Sequence, residues 1–369
     1  MHLSYCTNVH PAEDLAGIIG QLDTYAVPIR RRLGSGVLGL GLWLAAPAAA
    51  ELAASPQARR RLRRELDVRG LEVVTLNGFP YESFQAPVVK HAVYFPDWTS
   101  PDRLDYTLNL ARVLTDLMPD SAGYGSVSSL PLAWRTPWDP GRAAAARKHL
   151  DELAGGLARL AAETGRTVRV GFEPEPGCLI ENTTQAAALL SEVDTRWLGV
   201  CLDLAHLACA WEEPGEALGR LRSAGVPVVK VQVSAALQAD DPVAAADVLR
   251  AYAEPRFLHQ TRSALGPAAD DLDAALDQRL PGPWRIHYHV PLHASPAAPL
   301  TSTIPVLRAA VHELRTAPGP RCEHFDVETY TWGVLPPEQR PADAAGLADG
   351  IAAELAFARD LLAGQAAVR

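Results

Sequence analysis

The chain has 369 residues, 48% of them hydrophobic, and a formal net charge of −9. A chain this long and this apolar can bury a large core, and its length suits one barrel domain with insertions. The acidic charge argues against a nucleic-acid partner, because contacts to phosphates need clustered Lys and Arg. Five scattered cysteines, none of them in a CxxC pair, are typical of a reducing compartment.

The amino-terminal segment gives no sign of export. The first ten residues, MHLSYCTNVH, lack a charged region followed by an apolar one. The apolar stretch Val37–Ala50 is interrupted by Pro47 and falls short of the roughly 20 residues that span a bilayer. We therefore expect a cytoplasmic protein without a transmembrane segment.

Short apolar runs alternate with Ala-rich helical stretches along the whole chain. Most of the runs are continuously apolar, which is typical of parallel strands covered on both faces. The predicted strands are Leu3–Val9, Val37–Leu44, Glu72–Asn77, Gly125–Leu130, Val168–Glu173, Leu198–Asp203, Val228–Val233, Arg285–Val290 and Phe325–Thr329. Start signals such as Asp139-Pro140 predict helices that include Pro140–Thr164, Thr183–Val193, Pro214–Ala224 and Ala344–Leu362.

Repeated strand–helix units predict a parallel sheet, and about eight of them favour a closed (β/α)8 TIM barrel. Nine strands are one too many, so we assign Arg285–Val290 to an excursion between the seventh and eighth strands. This insertion, residues 234–320, is predicted to carry helices over Asp241–Ala253 and Ala268–Arg279 and to form a lid or wall over the site. The whole chain, 1–369, is interpreted as one domain.

Acidic and histidine residues stand at the ends of several of these strands. Glu173 ends its strand because Pro174 cannot continue one. Asp203 and His206 close the next strand in the sequence Asp-Leu-Ala-His. Carboxylates and imidazoles gathered from the strand ends of one barrel form the ligand set of a divalent metal, so the pattern predicts a metal-dependent enzyme.

The last two predicted strands add to this set. His287 and His289 share one face of a strand, with His293 shortly after, and Glu328 ends the final strand. The mixed carboxylate and imidazole set suits Mn, Zn, Co or Mg. A buried Glu paired with an Arg, or a His that only packs, is the structural alternative at each position.

Further polar and aromatic residues lie near strand ends and are candidates for substrate contacts. Lys230 and Gln232 share the inward face of the seventh strand, where a lysine needs an anionic partner. The other candidates are Asn8, His10, Trp43, Asn77, Glu175, His259, His293 and Trp332. Taken singly, most such residues are structural.

The order Glu173, Asp203-x-x-His206, Gln232 and Glu328 along successive strands resembles the xylose isomerase-like TIM barrel superfamily. The resemblance implies that Glu173, Asp203 and Glu328 bind the metal, with Gln232, His287 or His289 as the fourth ligand. It also implies that His206 contacts substrate and that Glu173 and Glu328 act as an acid/base pair. Gln232 departs from the family, in which a histidine usually stands on the seventh strand.

Four motifs narrow the resemblance to the EboE family, a metabolite-traffic group within this superfamily. They are Ser4–His10, Glu173–Cys178, His287–His293 and Val327–Trp332. The resemblance implies a small-molecule metabolite as ligand and leaves open a membrane-protein partner. The wider superfamily resemblance favours isomerisation or epimerisation of a sugar or polyol. The alternatives are a multi-metal phosphodiester or phosphate hydrolase and a non-catalytic metabolite carrier.

Overall fold

A computed structural model describes residues 1–319 and 321–364. Its strands are β1 (His2–Cys6), β2 (Leu38–Trp43), β3 (Leu71–Asn77), β4 (Gly125–Ser129), β5 (Val168–Phe172), β6 (Leu198–Asp203), β7 (Val228–Val233), β8 (Ala236–Ala239), β9 (Thr261–Ser263), β10 (Ala268–Ala269), β11 (Trp284–His289), β12 (Thr301–Ser302) and β13 (His324–Val327).

The α-helices cover the outside of the barrel and the loops at its rims. They are α1 (Leu15–Gln21), α2 (Val27–Arg32), α3 (Ala46–Ala54), α4 (Pro56–Asp67), α5 (Pro101–Leu117), α6 (Pro140–Thr164), α7 (Thr183–Leu190), α8 (Leu204–Cys209), α9 (Pro214–Ser223), α10 (Ala246–Arg250), α11 (Leu272–Gln278), α12 (Ile304–Thr316) and α13 (Ala344–Ala363). The predicted start signals act as caps, since the Asp139 side chain accepts from the Arg142 amide at the start of α6.

Eight parallel strands close into a barrel in the order β1-β13-β7-β6-β5-β4-β3-β2. The predicted (β/α)8 barrel is therefore confirmed. Every residue of β2 and of β6 is buried, as expected for strands that face a filled interior on one side and helices on the other. Because all eight strands run the same way, their carboxyl ends meet at one rim, and the side chains after those ends converge there.

The segment between β7 and β13 differs in part from its prediction. Strands β8 to β12 form a second, antiparallel sheet in the order β10-β9-β11-β8-β12, in which Ile286 pairs with Leu237 of β8 and Thr261 of β9. The ninth predicted strand, Arg285–Val290, is therefore β11, outside the barrel as expected. Helix α12 packs on α8 and α9 in the barrel's outer layer. Position 320, the end of the predicted insertion, lies outside the described residues.

The two helices predicted within the insertion are shorter than expected. Only residues 246–250 of the first form a helix, α10. In the second, Ala268–Ala269 pair with β9 as a strand and α11 begins after Asp271, whose side chain caps it. The Ala-rich composition favours a helix locally, but pairing with the second sheet overrides that propensity.

Two other expectations concern disulfide bonds and transmembrane segments. All five cysteines are free, in line with the absence of a disulfide pattern in the sequence. Within the part of the chain that the structure describes, no helix combines the length and the apolar character needed to cross a bilayer.

Candidate metal centre

Three buried carboxylates meet at the carboxyl-end rim of the barrel. Glu173 follows β5, Asp203 ends β6 and Glu328 follows β13, and each is at most 5% exposed. We call these three residues the carboxylate cluster. The strand-end positions noted in the sequence therefore converge, as the geometry of a parallel barrel requires.

Asp203 also orients the histidine that follows it. Its Oδ1 accepts from the backbone amide of His206 at 2.9 Å, which caps α8, and from the Ser234 hydroxyl at 2.8 Å. The cap starts a helix directly after the strand, so the His206 side chain turns back toward the rim. The Asp-x-x-His spacing thus places both side chains in one site.

Gln232 lies at the centre of the carboxylate cluster. Its Nε2 donates to Glu173 Oε1 at 2.9 Å, contacts Asp203 Oδ2 at 3.4 Å and donates to Glu328 Oε2. An amide NH₂ group is a neutral donor, so it satisfies acceptor atoms without balancing their charge. Glu173 Oε2 has no hydrogen-bond partner among the described residues. The cluster therefore retains buried negative charge that calls for a cation.

Three histidines, His206, His287 and His289, form an imidazole cluster beside the carboxylates. In each ring Nδ1 faces an oxygen acceptor: the Pro174 carbonyl at 2.9 Å, Gln260 Oε1 at 2.7 Å and the Glu328 carbonyl at 2.8 Å, respectively. A carbonyl can only accept, so Nδ1 carries the proton and Nε2 keeps its lone pair. This arrangement, with Nδ1 fixed by an outer partner, is the one found in histidines that bind metals.

The lone pairs of the imidazole cluster point at one another. His206 Nε2 and His287 Nε2 are 2.8 Å apart, and Tyr330 Oη lies 3.3 Å from the latter. His289 Nε2 has no hydrogen-bond partner within the described ranges and lies 3.9 Å from Asp203 Oδ2. Two lone pairs at such a distance repel unless a proton or a metal ion lies nearby, so this cluster also calls for a cation.

The donor atoms fit a divalent metal ion. In three overlapping groups, the potential ligand atoms all lie within 4.8 Å of one another: Asp203, His289 and Glu328; Glu173, Asp203 and His206; and His206, His287 and His289. Carboxylate oxygens and imidazole nitrogens in one buried site suit Zn, Mn and related ions. The sequence left Gln232, His287 and His289 as alternatives for the fourth ligand, and the free Nε2 of His289 favours His289.

Burial shifts the protonation of the site. It raises the pKa of Glu328 to about 8, and Asp203 adds to the shift. Burial also raises the pKa of Glu173 well above its usual value, with a further contribution from Glu328. For Asp203 burial acts in the same direction, but His206 and His289 outweigh it and lower its pKa. Burial lowers the pKa of His289 to about 4, which keeps that ring neutral and able to bind a metal.

Two asparagines from the amino-terminal half fix the other side of Glu328. Asn8 Nδ2 donates to Glu328 Oε1 at 2.8 Å, and Asn77 Nδ2 donates to the same oxygen at 3.0 Å. Both line the pocket above the clusters, as do Glu175, His206, His287 and His289. Glu175 accepts from the Tyr94 hydroxyl at 2.5 Å, and burial raises its pKa to about 7.

The structure does not bring every predicted residue to this pocket. His10 and Trp43 line a separate small cavity behind β1 and β2, and His293 and Trp332 stack on each other at a third site. His259 is buried behind β11, where it donates to the His287 carbonyl at 3.0 Å. These side chains act as packing and support because their strands or turns direct them away from the rim.

Lys230 lies one layer below the pocket, inside the barrel. Its Nζ is 2.9 Å from Asp326 Oδ2, and both side chains are fully buried. Asp326 outweighs the effect of burial and raises the pKa of Lys230, so the lysine is a cation at neutral pH. This is the anionic partner that the sequence required for an inward-facing lysine.

Sequence reasoning missed the residues that form the walls of the pocket. Tyr94, Phe84, Phe257 and Tyr330 line it, and Gln260 holds His287 from behind. Tyr330 stood in the motif Glu-Thr-Tyr, two residues after Glu328, which was a usable signal. The others lie in irregular segments of the β3–α5 loop and the insertion, where no periodicity marks an inward side chain.

A family model described as "Xylose isomerase-like TIM barrel" matches residues 34–248, more than half of the chain. A search of curated proteins found no significant match. Three solved structures share the fold at low identity. A xylose isomerase-like TIM barrel protein from Mycobacterium smegmatis in complex with magnesium has 13% identity and a TM-score of 0.54, with coverage of 99% of this chain and 98% of that one.

The second similar structure is a D-psicose 3-epimerase with D-tagatose from Clostridium cellulolyticum, at 14% identity and a TM-score of 0.52, covering 98% of this chain and 99% of that one. The third is an IOLI protein with a bound zinc atom, at 12% identity and a TM-score of 0.51, covering both chains completely. At these identities the likeness concerns the fold alone. The neighbours include sugar epimerases and proteins that bind zinc or magnesium.

Proposed function

Since this chain belongs to the xylose isomerase-like TIM barrel family, we propose that it is a metal-dependent isomerase or epimerase of a small hydroxylated metabolite. One observation carries the proposal: Glu173 and Glu328 approach the same Gln232 amide nitrogen from two sides. A substrate carbon held above that point has one carboxyl group on either side. This is the arrangement needed to remove a proton from one face of a carbon and return it to the other.

The ion would be held by Glu173, Asp203, His289 and Glu328, with Gln232 able to turn its amide oxygen toward it. A divalent ion at this position polarises a carbonyl or a pair of hydroxyls. The ion itself is one of Zn, Mn, Co or Mg, since the ligand set suits each of them.

The protein's own residues supply the acid and the base. In the metal-free site burial raises the pKa values of Glu173 and Glu328, and Glu328 adds to the shift of Glu173. The charged one of the pair acts as the base and the neutral one as the acid. Asn8 and Asn77 hold Glu328 in place, and the Pro174 carbonyl fixes the ring of His206 to face substrate.

Two measurements test this proposal together. Metal content by mass spectrometry, on protein purified without chelator, is expected to be about one ion per chain in the wild type and near zero in Glu173→Gln/Asp203→Asn. Glu354→Gln is the control, since Glu354 is a buried carboxylate outside the site. No metal in the wild type, even after reconstitution, contradicts the proposal and leaves the carrier hypothesis.

Proton transfer is tested by incubating metal-loaded protein in D₂O with a series of hydroxyketones that runs from ketoses such as D-psicose and D-tagatose to hydroxyketones with an apolar body. Deuterium incorporation next to the carbonyl, followed by NMR, is expected in the wild type. It should fall by about 10²-fold or more in Glu328→Gln, the size typical of a lost acid/base group. Metal binding without any exchange across ketoses and related hydroxyketones contradicts catalysis and again favours a carrier.

A second candidate function is hydrolysis of a phosphodiester or phosphate ester with more than one ion. The observation that favours it is the convergence of three Nε2 lone pairs in the imidazole cluster. It predicts two or three ions per chain, with one lost in His287→Gln, and phosphate release from model diesters. A content of one ion that His287→Gln leaves unchanged contradicts it. The closer resemblance to the EboE family, with a role in metabolite traffic, stays a prediction.

A further inference from the structure

The pocket above the metal-ligand clusters changes character from its floor to its walls. The floor is polar and consists of Glu173 and Glu328 of the carboxylate cluster, the imidazole cluster, Asn8, Asn77 and Glu175. The walls are apolar and include Phe79, Phe84, Val89, Val93 and Phe257. A ligand that reaches the floor with its oxygens must therefore lay the rest of its surface against hydrocarbon and aromatic rings. A bare sugar has hydroxyls on every carbon and would leave several of them without partners.

The walls also lack a free positive charge for a phosphate group. Among the described residues that line the pocket there is no arginine, and the one lysine is Lys90. Its Nζ is already 2.5 Å from Asp271 Oδ2 and donates to the Glu254 carbonyl at 3.2 Å. Recognition of a phosphate normally uses Arg, Lys or a helix amino terminus, so the pocket favours an uncharged ligand body.

Three aromatic rings from separate segments pack together in the wall of the pocket. Phe84 comes from the β3–α5 loop, Phe257 from the insertion and Tyr330 from the turn after β13. Their ring centroids are 5.2 Å apart for Phe84 and Phe257, 5.6 Å for Phe84 and Tyr330, and 4.9 Å for Phe257 and Tyr330. These spacings are those of interacting aromatic pairs, and a flat ring can enter such a group by the same edge and face contacts.

The space beneath these rings is small. The cavity encloses about 50 Å³, which accommodates a few water molecules at ~10–15 Å³ each. Backbone hydrogen bonds join the β3–α5 loop to the insertion beside the pocket. The amides of Val89 and Lys90 donate to the Arg256 carbonyl at 2.7 and 2.8 Å. A ligand larger than a few atoms therefore has to displace side chains of the walls and then lies against the rings in their place.

We infer that the substrate carries a small hydroxyketone or diol head and an uncharged aromatic or similarly flat apolar body. The head reaches the metal-ligand clusters, and the body lies among Phe84, Phe257 and Tyr330. The inference rests on the proposed function for the head group alone. The apolar walls do not depend on a metal, so the preference for an apolar body is measurable in metal-loaded and metal-free protein alike.

The test compares ligands with the same head and different bodies by isothermal titration calorimetry. The probes are hydroxyacetone, 2-hydroxyacetophenone, which replaces the methyl group by a phenyl ring, and dihydroxyacetone phosphate. The phenyl ligand is expected to bind about tenfold or more tightly than hydroxyacetone, the size that follows from burying a ring. Phe84→Ala should reduce that ratio to about threefold or less.

The control is Phe95→Ala, a substitution of the same type in the same loop. Phe95 is 55% exposed and does not line the pocket, so the ratio should not change. Equal affinity for the methyl and phenyl ligands, tightest binding of the phosphate, or no binding of the phenyl ligand each overturns the inference. If the protein binds no metal but still prefers the phenyl ligand, the proposed function is overturned and the inference of an apolar ligand body is supported.

Discussion

Two layers of buried charge lie one above the other inside the barrel, and they are balanced differently. In the lower layer Lys230 pairs with Asp326 at 2.9 Å, and Ser4 Oγ donates to Asp326 Oδ1 at 2.7 Å. In the upper layer three carboxylates, Glu173, Asp203 and Glu328, surround the neutral amide of Gln232. The lower layer contains its own counter-ion, whereas the upper one does not.

This difference separates a structural ion pair from a binding site. A buried charge beside its counter-ion recovers part of the cost of leaving water, whereas an unpaired buried charge recovers none of it. A buried group of like charges without one raises pKa values, as seen for Glu173 and Glu328. An arrangement of this kind marks a functional site, because the protein pays in stability for a position that a ligand can fill.

The largest expected effect comes from breaking the lower layer. Lys230→Met leaves Asp326 buried without its partner, and the free energy of unfolding should fall by about 3–5 kcal/mol. The double variant Lys230→Met/Asp326→Leu removes both charges and should recover most of that loss. Denaturant unfolding measures both. If Lys230→Met were as stable as the wild type, Lys230 would not be compensating the buried charge of Asp326.

A buried carboxylate outside both layers, Glu354, sharpens the comparison by its response to pH. Glu354 of α13 accepts from the Thr329 hydroxyl at 2.6 Å and the Leu292 amide at 3.1 Å, but has no cationic partner within the described residues. Burial raises its pKa from 4.5 to about 7. The folded state thus binds the proton more tightly than the unfolded state, so this contribution to stability is complete below pH 4.5 and is lost as pH rises to 7.

The shift corresponds to a loss of about 3 kcal/mol in the wild type at ~1.4 kcal/mol per pH unit. In Glu354→Gln this loss is absent. The difference in unfolding free energy between wild type and variant should therefore move in the variant's favour from pH 4.5 to 7 and stay constant above. A difference that does not change with pH contradicts the assignment.

In the upper layer, Glu173→Gln should lower stability relative to the wild type when metal is present, but not when it is absent. At a metal concentration 100 times the dissociation constant, the wild type should gain about 2.7 kcal/mol of stability. Glu173→Gln should lose this gain, yet be as stable as the wild type or more so in excess chelator, because it removes one of three like charges. Unfolding with and without metal gives both values. A variant that is less stable in chelator would argue for a purely structural role of Glu173.

The smallest effect is expected at a histidine outside both layers. His293 is exposed and stacks on Trp332 with ring centroids 6.1 Å apart, away from the pocket. His293→Ala should leave the metal content unchanged and alter stability by about 0.5 kcal/mol or less. His289→Ala is the matched substitution within the imidazole cluster and should reduce metal content. Equal metal loss in both variants would extend the site to His293.

The strand ends were the part of the site that the sequence could predict. Glu173, Asp203 and Glu328 each follow a buried apolar run, and a parallel barrel brings such positions to one rim whatever the loops do. The walls could not be predicted in this way. Phe84 and Phe257 are far apart in the chain and lie in irregular segments, and only the packing of the insertion on the β3–α5 loop makes them neighbours.

The sequence by itself determined the barrel, the rim at which its chemistry lies and the type of ligand atom gathered there. Each of these follows from short stretches of sequence: an apolar run marks a strand, and the residue at its carboxyl end lies at the rim. The tertiary structure alone decided which imidazole stands beside the carboxylates. His289 belongs to the second sheet, and its position depends on the Glu328 carbonyl that its Nδ1 reaches across the fold. Gln232 lies on a barrel strand, as the sequence predicted, but its amide donates hydrogen bonds to Glu173 and Glu328. Whether such an amide donates to carboxylates or binds a metal depends on the groups around it, which only the tertiary structure brings together.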